Sequence, residues 1–274
     1  MKRTLLLVVA LLCAALASAS PAGAAEKLTA RQIMQKQKDL HRTSSEIEHQ
    51  KMVLIDRRDK KENRELRRYN LEVKKDVYKY LIIFLAPKDI RGTSLLTWQH
   101  EDAPDDQWLF LPAAKKLKRV AEGSKKGYFM GTDFTYEDLS PEPLDDNKYK
   151  LLREEECPGK EGKGKDCWVI ESVPANEEVL KASGYSKKHL WVRQDIFFTA
   201  KIEFFNKRGK HVKTQVMMDV DKVEGTIYRA GKALMDHETK KHKTLMVVTK
   251  REINAKIDKQ LFSERSVLKQ EGLR

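Results

Sequence analysis

The sequence has few of the residue patterns on which hydrolytic and metal-dependent enzymes rely. It contains no GxSxG nucleophile elbow and no HExxH zinc motif, and its seven histidines are scattered. His237 and His242 precede a predicted strand, and we expect both to be exposed polar residues. The acidic segment DAPDD has the composition of a turn and lacks the oxygen ladder of a calcium loop. These absences favour a protein without catalytic residues, metal or cofactor.

Long apolar runs are also absent after the first 25 residues. The segment MKRTLLLVVALLCAALASASPAGAA has a basic start, an apolar run over Leu5–Leu16 and small residues up to Ala25, the three-part form of an export signal. We interpret Cys13 as part of the apolar run rather than as a lipidation site, because Leu12 precedes it where a small residue is expected. We therefore predict a signal peptide over residues 1–25 and a soluble, exported, periplasmic domain over residues 26–274.

Cysteine is scarce, and only Cys157 and Cys167 remain once the predicted signal is removed. Both flank the turn-like segment PGKEGKGKD, and an exported chain meets an oxidising compartment. We predict a disulfide at the base of a hairpin loop, since no second pair of Cys or His lies nearby to complete a metal site. The glycines of this loop have the spacing of a phosphate-binding loop, but Asp166 stands where Ser or Thr would coordinate magnesium.

Positive charge exceeds negative charge throughout the chain. The formal charge is +13, and removal of the signal, with two bases and no acid, lowers it to +11. Such a surface attracts nucleic acid, anionic lipid headgroups or lipopolysaccharide. The bases alternate with acids along the chain rather than forming one block, which is typical of the solvated face of many strands. We therefore expect no nucleic-acid partner.

Strand patterns dominate the mature sequence. LTARQIMQKQKDLHRT is predicted to form a helix capped by Thr29, and from Glu46 onward apolar residues recur with a period of two. We count roughly ten strands, including a hairpin around NKRGK, with short helices in VPANEEVLKASGYSK and DKQLFSERSVL. The apolar run Leu81–Leu85 indicates a strand covered on both faces. Serial antiparallel strands of this kind predict a sandwich or a curled, partly open barrel.

The most patterned stretch is GYFMGTDFTYEDL, which mixes aromatic and acidic residues. If the stretch is extended, Phe134 and Tyr136 share one face, and the acids can pair with the neighbouring bases Lys115, Lys116, Lys118 and Arg119. The carboxylates are then structural. The glycine after Met130 indicates a bend that brings backbone close to another group. The aromatic residues line either a solid core or a cavity, and the pattern does not separate these two.

Several segments together resemble an exported family of outer-membrane lipoprotein-sorting proteins, similar in fold to the periplasmic carriers LolA and LolB. The resemblance extends from about Thr43 to Leu268. It rests on these segments, in this order: FLAPKDIRGTSLLTW, DDQWLFLPAAKKLKRV, FMGTDFTYEDL, GYSKKHLWV, KIEFFNKRGK and IDKQLFSERSVL.

The resemblance implies a mainly β fold, a single curved antiparallel sheet that forms an unclosed β-barrel with a few plugging helices. It also implies a cavity that shelters the acyl chains of a lipid or lipoprotein, transient membrane contact, and an inner-membrane transporter of the resistance-nodulation-division (RND) type as partner. Aromatic and methionine side chains suit such a cavity. The candidate ligand-binding residues are Trp98, Trp108, Phe110, Phe129, Met130, Phe134 and Tyr136.

Three functions of different classes remain open on the sequence. The first is the periplasmic carrier, which requires an apolar cavity. The second is an envelope-stress regulatory or interaction module of the same fold, which requires a stable complex with a membrane protein. The third is a periplasmic enzyme acting on an anionic envelope polymer, which requires a cleft where acids or histidines such as His189 and His211 converge.

Overall fold

Thirteen antiparallel strands form one sheet in the computed structural model, which describes residues 27–159 and 162–273. The predicted signal peptide lies outside the described residues. The strands are β1 Ser45–Ile55, β2 Lys61–Lys74, β3 Val77–Ala86, β4 Ser94–Trp98, β5 Asp106–Leu111, β6 Lys116–Arg119, β7 Asn147–Glu156, β8 Asp166–Pro174, β9 Tyr185–Arg193, β10 Phe198–Asn206, β11 His211–Glu224, β12 Ile227–His237 and β13 His242–Ile253. The helices are α1 Ala30–Leu40, α2 Glu177–Ala182 and α3 Glu264–Leu268.

The sheet consists of two meanders joined side by side. Its order is β6-β5-β4-β3-β2-β1-β13-β12-β11-β10-β9-β8-β7, so β1 pairs with β13 and the edges are β6 and β7. This confirms the mainly β, unclosed barrel that the sequence predicts. The count exceeds ten partly because DQWLFLPAAKKLKRV contains two strands, β5 and β6, separated by the 3-10 turn Pro112–Ala114.

The two faces of the sheet carry different covers, which we call the inner and outer faces. On β3, Ile82 and Phe84 point to the inner face, while Leu81 and Ile83 point to the outer face; all four are buried. The C-terminal segment, with Phe262 among its buried side chains, covers the outer face of this half of the sheet. The prediction that residues 81–85 are covered on both sides is thus confirmed.

Helix α1 covers the inner face of the other half of the sheet. Thr29 forms a capping box with Gln32, as the cap prediction requires, and the helix ends at Leu40. Ile33 and Met34 are buried against a cluster that includes Ile170 of β8. Because Ile33 and Met34 belong to one stripe of an otherwise polar helix, packing against the sheet orients α1.

The link between the two edge strands crosses the inner face, and we call residues 120–146 the connector. It contains three short 3-10 segments, and the patterned stretch 127–139 lies at its centre. This stretch is a series of turns with a single bridge between Tyr128 and Thr135, rather than an extended strand. Met130 and Gly131 both have positive φ, and Arg64 donates a hydrogen bond of 2.6 Å to the carbonyl of Met130. The bend and the close backbone approach predicted at this glycine are therefore present.

Cys157 and Cys167 form the predicted disulfide at the base of the loop that joins β7 and β8. Their Cα atoms are 5.0 Å apart, and both side chains are buried beside Val169 and Trp191. Over the described ranges, no helix is both long and apolar enough to cross a membrane.

Candidate functional site

A cavity of about 250 Å³ lies between the inner face of the sheet and the connector. Its apolar wall comes from β1, β2, β3 and β13 on the sheet side and from two rings on the connector side. The main apolar lining residues are Met52, Leu66, Ile82, Met246, Phe129 and Phe134. Since the connector closes the cavity, the most patterned segment of the sequence forms its roof.

Phe129 and Phe134 anchor the connector over the cavity from two sides. Phe129 is 1% exposed and stacks on Phe84 at a centroid distance of 5.7 Å. Phe134 is buried in a separate cluster with Tyr185 and Phe204, on the opposite meander. The connector thus bridges the inner faces of both halves of the sheet.

Buried ion pairs fix the same segment. The ammonium of Lys213 pairs with the carboxylate of Asp138 and donates a second hydrogen bond of 3.0 Å to the carbonyl of Asp133. The side chains of Lys213 and Asp138 are 1% and 3% exposed. Burial by itself would raise the pKa of Asp138, but the charge and hydrogen bond of Lys213 outweigh burial and hold that pKa below its usual value.

Two histidines of the sheet also contact the connector. His242 lies 2.7 Å from the carboxylate of Asp133, which also accepts a hydrogen bond from the hydroxyl of Thr244. His237 is 3% exposed and lies 2.6 Å from the hydroxyl of Tyr128; burial and then the nearby Lys240 lower the pKa of His237.

Two expectations about this segment are therefore wrong. His237 is buried and His242 half-buried, rather than exposed. Asp133 and Asp138 find their partners on β11 and β13, and not among the bases of β6, because the connector turns away from β6 instead of running beside it.

The far end of the cavity is charged rather than apolar. Glu46 and Glu48 of β1 are 4% and 7% exposed. Arg251 lies 3.0 Å from Glu46 and 2.6 Å from Glu48, and Arg229 lies 3.1 Å from Glu46. Burial and the neighbouring Glu48 raise the pKa of Glu46, whereas the arginines around Glu48 outweigh its burial and lower its pKa.

Sequence reasoning missed this charged end. Its signal is the alternation EIEHQKM, in which Glu46, Glu48 and Gln50 occupy every second position of β1. A period of two identifies a strand but not which of its faces is buried. Here the acidic face of β1 is the buried one. Its burial is possible because Glu46 and Glu48 pair with Arg229 and Arg251, which lie on strands far away in the sequence.

The structure divides the seven candidate ligand-binding residues into three groups. Phe129 and Phe134 line the cavity, and Met130 and Tyr136 pack against the same inner-face cluster as Phe129. The remaining three lie on the outer face against the C-terminal segment, where the Trp98 indole donates a hydrogen bond of 2.8 Å to the carbonyl of Phe262. These three are Trp98, Trp108 and Phe110.

A second cleft, of about 440 Å³, lies beside the connector and is lined by many acidic residues. Burial raises the pKa of Asp105 to about 6, although Lys125 and His100 oppose this effect. His189 and His211 do not line this cleft; they contact Glu171 and Glu238 instead. Within residues 27–159 and 162–273, no group of three or more His, Cys, Asp or Glu could hold a metal ion.

Comparison with known proteins identifies relatives for nearly the whole described chain. Residues 76–269 match a protein-family model whose description reads "Uncharacterized protein". No curated protein matches the sequence. Among solved structures, a domain named for outer membrane lipoprotein sorting, from Vibrio parahaemolyticus, is 28% identical with a TM-score of 0.80, and the match covers 87% of this chain and 98% of that chain.

Two further structures share the fold. A DUF1329 family protein from Desulfovibrio piger is 22% identical with a TM-score of 0.80, over 87% of this chain and 97% of that chain. A LolA superfamily protein from Nitrosomonas europaea is 17% identical with a TM-score of 0.69, over 88% of this chain and 100% of that chain.

Proposed function

This chain belongs to the family whose model matches residues 76–269, and it is similar to a solved domain named for outer membrane lipoprotein sorting; from this we propose that it is a periplasmic, non-enzymatic carrier of lipid or lipoprotein. It shelters acyl chains while they pass between the inner and outer membranes, as one binding domain over residues 26–274. The cavity between the inner face and the connector is the observation that carries this proposal.

The cavity has the chemistry that acyl chains require. Each methylene moved from water into an apolar site contributes about 0.8 kcal/mol, so a few enclosed methylenes give useful affinity without any catalytic group. Met52, Met217 and Met246 supply flexible, polarizable walls that adapt to chains of different shape. Phe129 and Phe134 form the roof against which a chain lies.

The size of the cavity limits what it holds in the conformation described. A volume of about 250 Å³ lies just below the roughly 300–1,000 Å³ typical of pockets for small ligands. It accommodates part of one acyl chain, and several chains require more space.

The experiment is lipid extraction and mass spectrometry of protein purified gently from periplasm. Ala233→Phe is the test variant, because Ala233 lines the cavity and lies opposite Met217 and Met246 on the adjacent strands. Ala114→Phe, at an exposed position in the turn before β6, is the matched control.

We expect lipid to copurify with the wild type and with Ala114→Phe, and to be much reduced in Ala233→Phe. Equal lipid in both variants would place the bound molecule outside the cavity. Failure of the empty wild-type protein to bind acyl chains added in solution would reject the carrier function.

We further propose that the carrier works with an inner-membrane transporter of the RND type. The resemblance to the lipoprotein-sorting family supports this partner. In-cell crosslinking from exposed positions, followed by mass spectrometry, should recover such a transporter at higher yield than from an unrelated periplasmic protein. Recovery of other membrane proteins alone would contradict this partner.

A further inference from the structure

The cavity changes from apolar to charged along the direction of its strands. On β1 the inner-face series reads Leu54, Met52, Gln50, Glu48, Glu46, so polarity increases toward the start of the strand. The same change occurs on the neighbouring strands, from Leu66 to Arg68 on β2 and from Val248 to Arg251 on β13, and the register places these steps side by side. The cavity is therefore amphipathic, with its two ends fixed by the sheet.

The charges at the polar end do not balance. Three guanidinium groups, from Arg68, Arg229 and Arg251, line this end together with the carboxylate of Glu48, and the carboxylate of Glu46 lies one inner-face position beyond the lining. Arg229 and Arg251 account for both carboxylates through contacts of 2.6 to 3.1 Å. One positive charge remains, and it is that of Arg68.

Other charged lining residues do not compensate for this excess. Asp138 is paired with Lys213 beneath the connector, and Lys232 lies 2.7 Å from Asp219. In the part of the chain that the structure describes, no carboxylate oxygen lies within 4.0 Å of a nitrogen of Arg68.

Among the described residues, the Arg68 side chain makes no hydrogen bond and no ion pair within 4.0 Å, although it lies opposite Glu48 on the adjacent strand and its charge helps to lower the pKa of that carboxyl. Its guanidinium carbon lies 5.8 Å from the centre of the Tyr80 ring, and its Nε atom is buried without a hydrogen-bond acceptor. A second buried polar atom without a partner lies nearby, on β1. Oε1 of Gln50 is buried and accepts no hydrogen bond, whereas Nε2 of the same side chain donates a hydrogen bond of 2.6 Å to Glu48. A buried donor on a cation and a buried acceptor are both costly to leave unmatched.

We propose that the polar end of the cavity binds the anionic headgroup of the cargo, with Arg68 as its counter-ion. The ligand class is an amphiphile that carries a carboxylate or phosphate on an acyl chain, with the chain lying between Met52, Ile82 and Phe129. The planar guanidinium suits both oxyanions, because it donates two parallel hydrogen bonds. An O–H or N–H of the same headgroup would satisfy Gln50. This inference rests on the proposed carrier function and names the chemistry of its cargo.

The test compares three amphiphiles with the same chain and different heads: dodecyl phosphate, dodecanoate and dodecanol. Binding to lipid-free protein is measured by calorimetry for the wild type and for Arg68→Met, which keeps the bulk of the side chain and removes its charge. Arg57→Met is the control, because Arg57 lies exposed in the β1–β2 turn and its loss changes net charge equally. Arg68→Lys serves as a second variant, which retains charge and fold if Arg68→Met does not fold.

We expect the wild type to bind at least one of the two anions at least tenfold more tightly than dodecanol. Arg68→Met should lose this preference, Arg68→Lys should lose part of it, and Arg57→Met should keep it. A preference for dodecyl phosphate would indicate a phosphate-headed lipid, and a preference for dodecanoate a fatty acid; either supports the proposal.

The failures of the two proposals differ in this experiment. If dodecanol binds as well as both anions and the Arg68 variants match the wild type, the headgroup site is wrong and the carrier function stands. If none of the three amphiphiles binds the wild type, the carrier function fails and the headgroup site with it.

Discussion

Lys213 shows how strongly a single side chain determines the position of the connector. It is 1% exposed, and its ammonium contacts both the carboxylate of Asp138 and the backbone of Asp133. Lys213→Met should lower the free energy of unfolding by about 3–5 kcal/mol, because it leaves the Asp138 carboxylate buried without a counter-ion. Urea unfolding measures this loss, and Lys210→Met, at an exposed position three residues earlier, should change stability little.

The double variant Lys213→Met/Asp138→Asn separates lost charge pairing from lost packing. Removing both charges should recover part of the stability that Lys213→Met loses, since no isolated charge is then buried. A double variant as unstable as the sum of the two single variants would show that the pair does not couple.

Asp105 should make stability depend on pH with an unusual sign. Burial raises its pKa to about 6 in the folded protein, against the opposing influence of Lys125 and His100. Between pH ~4 and ~6 the folded state therefore keeps a proton that the unfolded state releases, and the contribution of Asp105 to stability falls as pH rises through this window. Above pH ~6 the contribution levels off.

Asp105→Asn should remove this dependence, since an amide does not titrate. The stability of the variant relative to the wild type should increase from pH 4 to pH 7, by up to about 3 kcal/mol. Urea unfolding at several pH values measures the difference, and the neighbouring exposed Asp102→Asn is the control. A difference that does not change with pH would contradict the raised pKa of Asp105.

At the scale of elements, the disulfide is the feature that the sequence predicts in most detail, and the structure confirms it. Two cysteines around a turn-like loop require only local reasoning, and the β7–β8 hairpin places them 5.0 Å apart between Cα atoms. Cys157→Ala/Cys167→Ala should lower the free energy of unfolding by about 2–3 kcal/mol, as expected for closing a loop of this length. Alanine is preferable to serine here, because Cys167 is fully buried and a hydroxyl would lack a partner.

The same double alanine variant should leave amphiphile binding unchanged, because neither cysteine lines the cavity. Urea unfolding without reductant gives the stability, and calorimetry with dodecyl phosphate gives the binding. Loss of binding in a protein that remains folded would mean that this hairpin and the cavity are linked in a way that the geometry does not suggest.

Helix α1, the turn at NKRGK and most strands were predictable because each depends on neighbours in sequence. The connector was not, since its turns depend on contacts such as Asp133 with His242, which lies 109 residues away. The charged end of the cavity escaped prediction for the same reason. Glu46 has the alternating pattern of a surface strand, and only its partners Arg229 and Arg251 reveal that it is buried.

At the scale of the whole molecule, one edge of the sheet carries a group of exposed lysines. The β5–β6 hairpin and the residues after it expose Lys115, Lys116, Lys118 and Lys126. The short, lysine-rich edge strand β6 discourages pairing with another chain. The same lysines offer a contact for an anionic membrane surface, where each base contributes about 1 kcal/mol within a Debye length.

A carrier that exchanges cargo at membranes needs a contact of this reversible kind. The triple variant Lys115→Gln/Lys116→Gln/Lys118→Gln should weaken binding to vesicles that contain anionic lipid on the order of a hundredfold, since about 1 kcal/mol is lost per lysine. Cosedimentation at low ionic strength measures this binding, and the difference from the wild type should shrink as salt screens the charges.

The matched control removes three exposed lysines elsewhere, Lys148, Lys150 and Lys259, at equal net charge. If both triple variants lose affinity equally, net charge and not the β6 edge governs membrane contact. If only the β6 variant loses affinity, the edge that begins the connector is also the edge that meets the membrane.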